Sequence, residues 1–175
     1  MFWQVHPGAA TTLAEAVLEC VDPQPGDRIV DLFSGAGLFS ALLGERVGAS
    51  GSVMAVERDV QACADATANT TDLPWVEVRR GNVGPELVAQ RIGDPHVVVL
   101  DPAREGAGRA VMAALAAKGG ALRQIVYVSC DPATFARDVR VMLDGGWQLA
   151  SLRAFDLFPM TEHVELLGVL VPPPA

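Results

Sequence analysis

The chain is short of the features that tie a protein to a membrane, a metal or a polyanion. No stretch of it approaches the roughly 18 uninterrupted apolar residues of a bilayer span, so no membrane crossing is expected. The N-terminus has no basic region leading through an apolar run to a small-residue cleavage site, so no secretory leader is expected. Cysteine is scarce: the three residues Cys20, Cys63 and Cys130 lack metal-ligand spacing and are too few for a disulfide framework. That argues against a metal site or a stapled secreted module and makes the reducing cytoplasm the expected compartment. Positive charge is also short. Thirteen Lys+Arg against 21 Asp+Glu give a formal net charge of −8, which argues against gripping a polyanion by general electrostatics. Repeats, low-complexity segments and internal linkers are missing too, and only Pro172 to Ala175 reads as a loose tail.

What the chain does have is apolar residues in half of its 175 positions, enough for the core of one domain. Short β-branched runs alternate with helical patterns, which points to a doubly wound α/β sheet. Leu13, Val17, Leu18 and Val21 recur at helical spacing over about Thr11 to Val21. Strands are expected at Arg28 to Leu32, Ser52 to Glu57, Trp75 to Arg79, His96 to Leu100 and Gln124 to Cys130. Helices are expected at about Leu38 to Val47, Asp59 to Asn69, Glu86 to Ile92 and Arg109 to Lys118. Asp131 reads as an N-cap and Pro132 as the first residue of a helix reaching Asp144. The last two strands, Trp147 to Ala154 and His163 to Val171, have no helix between them and should pair antiparallel, since a parallel pair needs a crossover.

Four polar signals fall at the carboxyl ends of these strands, where open α/β sheets bind ligands. The turn Asp31-Leu-Phe-Ser-Gly-Ala-Gly37 brings backbone close to a ligand through Gly35 and Gly37. Glu57 follows at roughly twenty residues, the offset at which an acid accepts ribose hydroxyls. That pair of features serves both dinucleotides and S-adenosylmethionine. Ser40 stands where a dinucleotide fingerprint wants a third small residue, which counts against NAD. Asn82, after Gly81, is read equally as a turn residue or as an adenine contact. Asp101-Pro-Ala-Arg104 and Ser129-Cys130-Asp131-Pro132 complete the set. Because the final strand is antiparallel, Glu165 near its start is directed to the same cleft.

Cys20 and Cys63, inside helical stretches among alanines and valines, read as small core residues. Cys130 reads as a nucleophile: it precedes a helix N-terminus, which lowers a thiol pKa, while Asp131 opposes that effect. A modest net depression is expected.

The residues Phe2-Trp-Gln-Val5, Asp31 to Gly37, Val56-Glu57, Leu100 to Arg104, Val126-Tyr-Val-Ser-Cys-Asp-Pro-Ala-Thr134 with Ala136-Arg-Asp138, and Asp156-Leu-Phe-Pro-Met-Thr-Glu-His-Val-Glu165 together resemble the catalytic domain of the RNA uracil-5 methyltransferases. These enzymes make 5-methyluridine in tRNA and 23S rRNA. The resemblance spans nearly the whole chain and implies a class I S-adenosylmethionine-dependent, Rossmann-like fold of seven strands, residues 1–175 forming one catalytic domain.

It also implies roles. Cys130 would add to uracil C6, Glu165 would remove the C5 proton, and Asp101 would border the target base. Gln4, Phe33, Gly35, Gly37, Glu57, Asn82 and Asp101 would hold S-adenosyl-L-methionine, with RNA as the partner and no metal. Three departures stand out. Ser34 and Leu38 replace the cysteine and asparagine common in the family, and the family's RNA-binding barrel and central insertion have no counterpart here. The second expectation is therefore a domain that holds S-adenosylmethionine but turns over no RNA by itself. Amino methylation of a base is disfavoured because the tetrad at Asp101 is not Asp-Pro-Pro-Tyr-like. RNA cytosine-5 methylation would want a second cysteine near Pro102-Ala103.

Overall fold

A computed structural model describes residues 9–156 and 164–173. Seven strands form one sheet: β1 (Arg28–Leu32), β2 (Ser52–Glu57), β3 (Val76–Arg80), β4 (Val97–Leu100), β5 (Gln124–Ser129), β6 (Gln148–Phe155) and β7 (Glu165–Val171). Six helices alternate with them: α1 (Ala9–Val21), α2 (Leu38–Val47), α3 (Val60–Asn69), α4 (Pro85–Gln90), α5 (Arg109–Ala116) and α6 (Pro132–Asp144). The strand order is β3-β2-β1-β4-β5-β7-β6. β1 to β5 are mutually parallel, and β7 lies antiparallel between β5 and β6.

The central strands β4 and β5 are apolar on both faces because helices cover both, whereas the edge strands β3 and β6 are largely exposed. On β4, Val97 and Val99 face one layer and Val98 and Leu100 the other; on β5, Val126 and Val128 oppose Ile125 and Tyr127. The first layer packs Leu13, Val17 and Val21 of α1 and Phe39, Leu43 and Val47 of α2. The second packs Val111, Met112 and Leu115 of α5 and Phe135, Val139 and Met142 of α6.

Local sequence fixes several boundaries. Asp59 caps α3 by accepting from the Ala62 N–H at 2.8 Å, and Asp131 caps α6 by accepting from the Thr134 N–H at 2.8 Å. Pro132 occupies the first turn of α6, where a missing N–H costs nothing. α5 stops at Ala116, short of the Gly119-Gly120 pair. α4 runs from Pro85 to Gln90, slightly ahead of its expected position, because proline starts a helix well.

The order places the topological switch between β1 and β4. From β1 the chain winds outward through β2 to β3, then returns to the other side of β1 as β4. The crevice beyond the carboxyl ends of β1 and β4 is where such sheets accept ligands. Since β7 runs against its neighbours, its first residue opens onto that same edge.

Candidate active site

The glycine turn is built as a cradle. Ser34 N–H donates to the Val56 carbonyl at 3.1 Å, and Gly37 N–H to the Ser34 carbonyl at 2.9 Å. Gly37 has φ 84°, and a Cβ there would stand 3.0 Å from the Ala66 Cβ, so α3 packs directly on the turn. Gly35 has φ 53° and nothing within 4 Å of where a Cβ would point, leaving open space above the backbone. Phe33 also has positive φ, 63°. For a bulky residue this conformation is strained by about 1–2 kcal/mol, and the strain sits at the cleft.

Glu57 closes one side. Its Oε2 accepts from the Gly35 N–H at 3.1 Å, and its Oε1 accepts from the N–H groups of Arg58 at 2.7 Å and Asp59 at 2.8 Å. These bonds tie the end of β2 to the glycine turn and orient the carboxylate. Asn82 is exposed and lines a groove of about 540 Å³ with Met54, Val56 and Leu87. Gln4 lies outside the described residues.

Asp31, which the sequence does not single out beyond its motif, lies directly beneath the turn and is fully buried. Its Oδ2 accepts from Ser40 Oγ at 2.5 Å, while its Oδ1 and the Ser34 Oγ have no partner among the described residues. Ser40 therefore serves as a partner to a buried acid. Burial, and then the charge of Glu57, push the Asp31 carboxyl up to about 7 against the hydrogen bonds from Ser40. Leu38, by contrast, is exposed at the start of α2.

At the ends of β4 and β5 the second group of residues meets. Asp101 N–H donates to the Leu32 carbonyl at 3.3 Å, which sets Asp101 beside the glycine turn. Ser129 pairs with Leu166 in the β5–β7 register. The pairing ends there; Cys130 and Glu165 are the next residues outward, and the Glu165 charge acts on the Cys130 thiol. Glu165 is 3% exposed, whereas Cys130 and Asp101 are half-buried.

These groups are coupled. Burial raises Asp101, with Glu165 and then Asp31 adding to it, so that its carboxyl is pushed up to about 8. Burial raises Glu165. Cys130 is pushed up as well, by burial first, then by Glu165 and Asp101, while its own backbone N–H and Arg104 pull the other way. The expected depression of the Cys130 thiol is therefore corrected. The capping effect at α6 is local, but burial first, and then two acids brought in at the ends of β4 and β7, outweigh it.

The other thiols also depart from expectation. Cys20 and Cys63 are half-buried rather than core. Cys63 sits at the start of α3, where its Sγ donates to the Glu57 carbonyl at 3.4 Å. Cys20 is on the last turn of α1, beside the surface pair Arg153–Glu19. Among the described residues no cluster of metal-ligating side chains occurs and no helix is long and apolar enough to cross a membrane.

The geometry thus joins an adenosine-type cradle, with an orphaned buried acid below it, to a thiol faced by a buried carboxyl. Comparison with known proteins gives that combination its context. Residues 93–172, which carry Asp101, Cys130 and Glu165, match the model of the tRNA (uracil-5-)-methyltransferases. Over those residues the chain is similar to that family. Residues 6–84, which hold the glycine turn and Glu57, match the model of the protein-L-isoaspartate(D-aspartate) O-methyltransferases.

An uncharacterized RNA methyltransferase of Streptomyces avermitilis is 44% identical over 98% of this chain and 39% of its own length. The 23S rRNA (uracil(1939)-C(5))-methyltransferase RlmD of a Shewanella species is 38% identical over 96% of this chain and 37% of its own. The chain thus spans about two fifths of the length of these relatives. Aeropyrum pernix fibrillarin, solved with natively bound S-adenosyl-L-methionine, superposes with a TM-score of 0.66 at 18% identity over 90% of this chain and 74% of its own. The architecture is that of the class I S-adenosylmethionine-dependent methyltransferases.

The residues present fit that cofactor. Glycine backbone opens above Gly35, an oriented acid ends β2, and a buried carboxylate oxygen of Asp31 lacks a donor among the described residues.

Proposed function

We propose that this domain methylates C5 of a uridine in RNA, in tRNA or 23S rRNA, with S-adenosyl-L-methionine as donor. The observation that carries this reading is the approach of the buried Glu165 and of Asp101 to Cys130 at the edge where β5 and β7 pair.

In this reading Phe33, Gly35, Gly37, Glu57, Asn82 and Asp101 hold the cofactor, together with Gln4. Glu57 takes the ribose hydroxyls, and the open backbone at Gly35 admits the ligand. When bound, the cofactor supplies an electrophilic methyl group on a positively charged sulfur.

Uracil C5 is too weak a nucleophile to take that methyl unaided. The Cys130 thiolate adds to C6, forming an S–C6 bond and moving the C5=C6 electrons into an enolate. C5 then takes the methyl group. Glu165 removes the C5 proton, the electrons restore C5=C6, the C6–S bond breaks and the thiolate returns. Burial suits Glu165 to this task, because a carboxylate raised above its ordinary range is a stronger base near neutral pH. A positioned base of this kind contributes about 10²- to 10⁴-fold. Asp101 borders the base, which must be extruded from its stacked loop at a cost of a few kcal/mol.

RNA carrying 5-fluorouridine tests this reading, because fluorine cannot leave C5 as a cation and the adduct is trapped. The chain, this RNA and S-adenosylmethionine should give an adduct whose mass maps to Cys130. An adduct on another residue, or one formed equally by Cys130→Ala, overturns the mechanism. The net charge of −8 favours a second reading, in which the domain binds the cofactor but recruits no RNA alone. That reading predicts calorimetric binding of S-adenosylhomocysteine with no adduct.

A further inference from the structure

The segment from Asp101 to Gly108 carries part of the candidate site and has no regular structure of its own. It leaves β4 at Leu100 and becomes helical only at Arg109. Side chains from elsewhere hold it. The Arg104 carbonyl accepts from Thr134 Oγ1 at 3.0 Å and the Glu105 carbonyl from Arg137 Nη2 at 2.9 Å. Ala107 N–H donates to Tyr127 Oη at 3.2 Å and Gly108 N–H to Asp138 Oδ2 at 3.1 Å. Four backbone groups in five residues are thus gripped by four side chains.

Two of those side chains, Tyr127 and Arg137, converge on a third, the Asp138 carboxylate. Asp138 is fully buried in the middle of α6. Its Oδ2 also accepts from the Tyr127 hydroxyl at 2.8 Å, and its Oδ1 accepts from Arg137 Nε at 2.9 Å. Tyr127 is the chain's single tyrosine and is itself fully buried. The segment sits directly on this pair: a Cβ on Gly106, at φ 76°, would lie 2.6 Å from Asp138 Oδ2 and 2.7 Å from Arg137 Nη2. An apolar cluster would fill this space at little cost in stability, since buried ion pairs seldom outdo well-packed hydrophobic replacements. What an apolar cluster lacks is direction, and here the direction is toward Cys130. Tyr127 lies three residues before the thiol on β5, and α6 begins two residues after it. The elements that grip the loop are the ones that present the sulfur.

We propose that Asp138, acting through Tyr127 and Arg137, is the positioning residue that anchors the Glu105–Gly108 end of the Asp101–Gly108 loop and so sets Asp101 against Cys130. For the methyl transfer this role rests on the function proposed above. The geometric part stands on the network alone. A displacement of about 1 Å at a reacting pair costs on the order of 10²-fold in rate, so a loop without regular hydrogen bonding needs such a clamp.

The experiment compares the unmodified chain with Tyr127→Phe, which removes one hydroxyl, and Asp138→Asn, each well below its own melting temperature. The primary readout is the pH profile of iodoacetamide alkylation mapped to Cys130. The charged groups acting on that thiol are Glu165, Asp101 and Arg104. A loosened loop withdraws Asp101 and admits water, so the midpoint should move down and the rate at pH 7 rise by at least ~3-fold. Adduct formation with 5-fluorouridine RNA should slow by ~10-fold or more, while S-adenosylhomocysteine affinity stays within about twofold.

Melting temperatures that fall while the alkylation profiles superimpose would make the network a structural staple and overturn the proposal. If Asp138→Asn does not fold, Tyr127→Phe decides the matter by the same profile. A shifted profile in a chain that forms no RNA adduct supports the positioning role and counts against uracil methylation.

Discussion

Asp101→Asn should make the ligand-free chain more stable, and increasingly so as the pH rises. The native carboxyl is pushed up to about 8 from an ordinary 3.8, by burial and by the charges of Glu165 and Asp31. Between those two values the folded state binds a proton that the unfolded state has released. Stability attributable to this group is therefore full below about pH 4 and is lost as the pH climbs through 8. A shift of roughly four units at 1.36 kcal/mol each sets a ceiling of about 5–6 kcal/mol. Water reaching the half-buried carboxyl screens part of that, so about 2–3 kcal/mol is expected at pH 9. In a domain of this size that corresponds to about 4–12 °C in melting temperature.

The assay is urea unfolding of the parent and Asp101→Asn at pH 5.5, 7 and 9. The parent's stability should slope downward and the variant's should slope less, the curves separating steadily from pH 5.5 to about 8 and running parallel above it. Curves parallel over the whole range would show that Asp101 is not held in a repulsive, dehydrated setting, and the electrostatic account of the cleft would fail with it. Asp31, raised to about 7 by burial and Glu57, should retain a smaller slope of the same sign in the variant.

Other consequences are equally direct. Cys130→Ser should bind S-adenosylhomocysteine within about twofold of the parent yet form no 5-fluorouridine adduct, as read by calorimetry and intact-mass spectrometry. Glu165→Gln should still capture uridine-containing RNA but release it about 10²- to 10⁴-fold more slowly, so that an adduct accumulates on ordinary RNA. Gly168→Ala should cost about 1–3 kcal/mol in urea unfolding, because its Cβ would lie 2.6 Å from Cζ of Phe135, and Phe135→Leu should recover much of the loss in the double variant. Arg123→Met should cost about 1–3 kcal/mol at pH 7, since it strips a two-point ion pair (2.9 and 2.7 Å) from the buried Asp27. Burial raises the Asp27 carboxyl, but Arg123, Gln24 N–H and His96 together hold it well below the usual range, so that loss should shrink as acid protonates Asp27.

The elements legible in the sequence are those whose causes are local. Asp59 and Asp131 cap helices through an N–H three residues away, and Pro132 fits a first turn wherever it occurs. The antiparallel final pair was legible for a covalent reason: a connection without a helix cannot return a strand parallel to its neighbour. Likewise the glycine spacing and the offset of Glu57 announce a cradle, because backbone conformation is settled within a few residues.

What the sequence left open depends on chain segments far apart in number. The direction of the Cys130 shift followed from burial first and then from two carboxylates delivered at the ends of β4 and β7, and nothing near position 130 reports either. Asp31 is legible in the sequence only as the first residue of the glycine-turn motif; packing closes over it and leaves one oxygen without a donor among the described residues. Ser40, read only as the wrong residue for a dinucleotide, proved to be that acid's partner. Cys20 and Cys63 have apolar sequence neighbours, yet α1 and α3 turn them toward the rim. The sequence by itself determined which groups reach the carboxyl edge of the sheet, because strand ends and turns are written in short-range pattern. Only the tertiary structure decided how those groups act on one another. Their mutual distance and dehydration arise from strand order and the β5–β7 register, which no local stretch of residues contains.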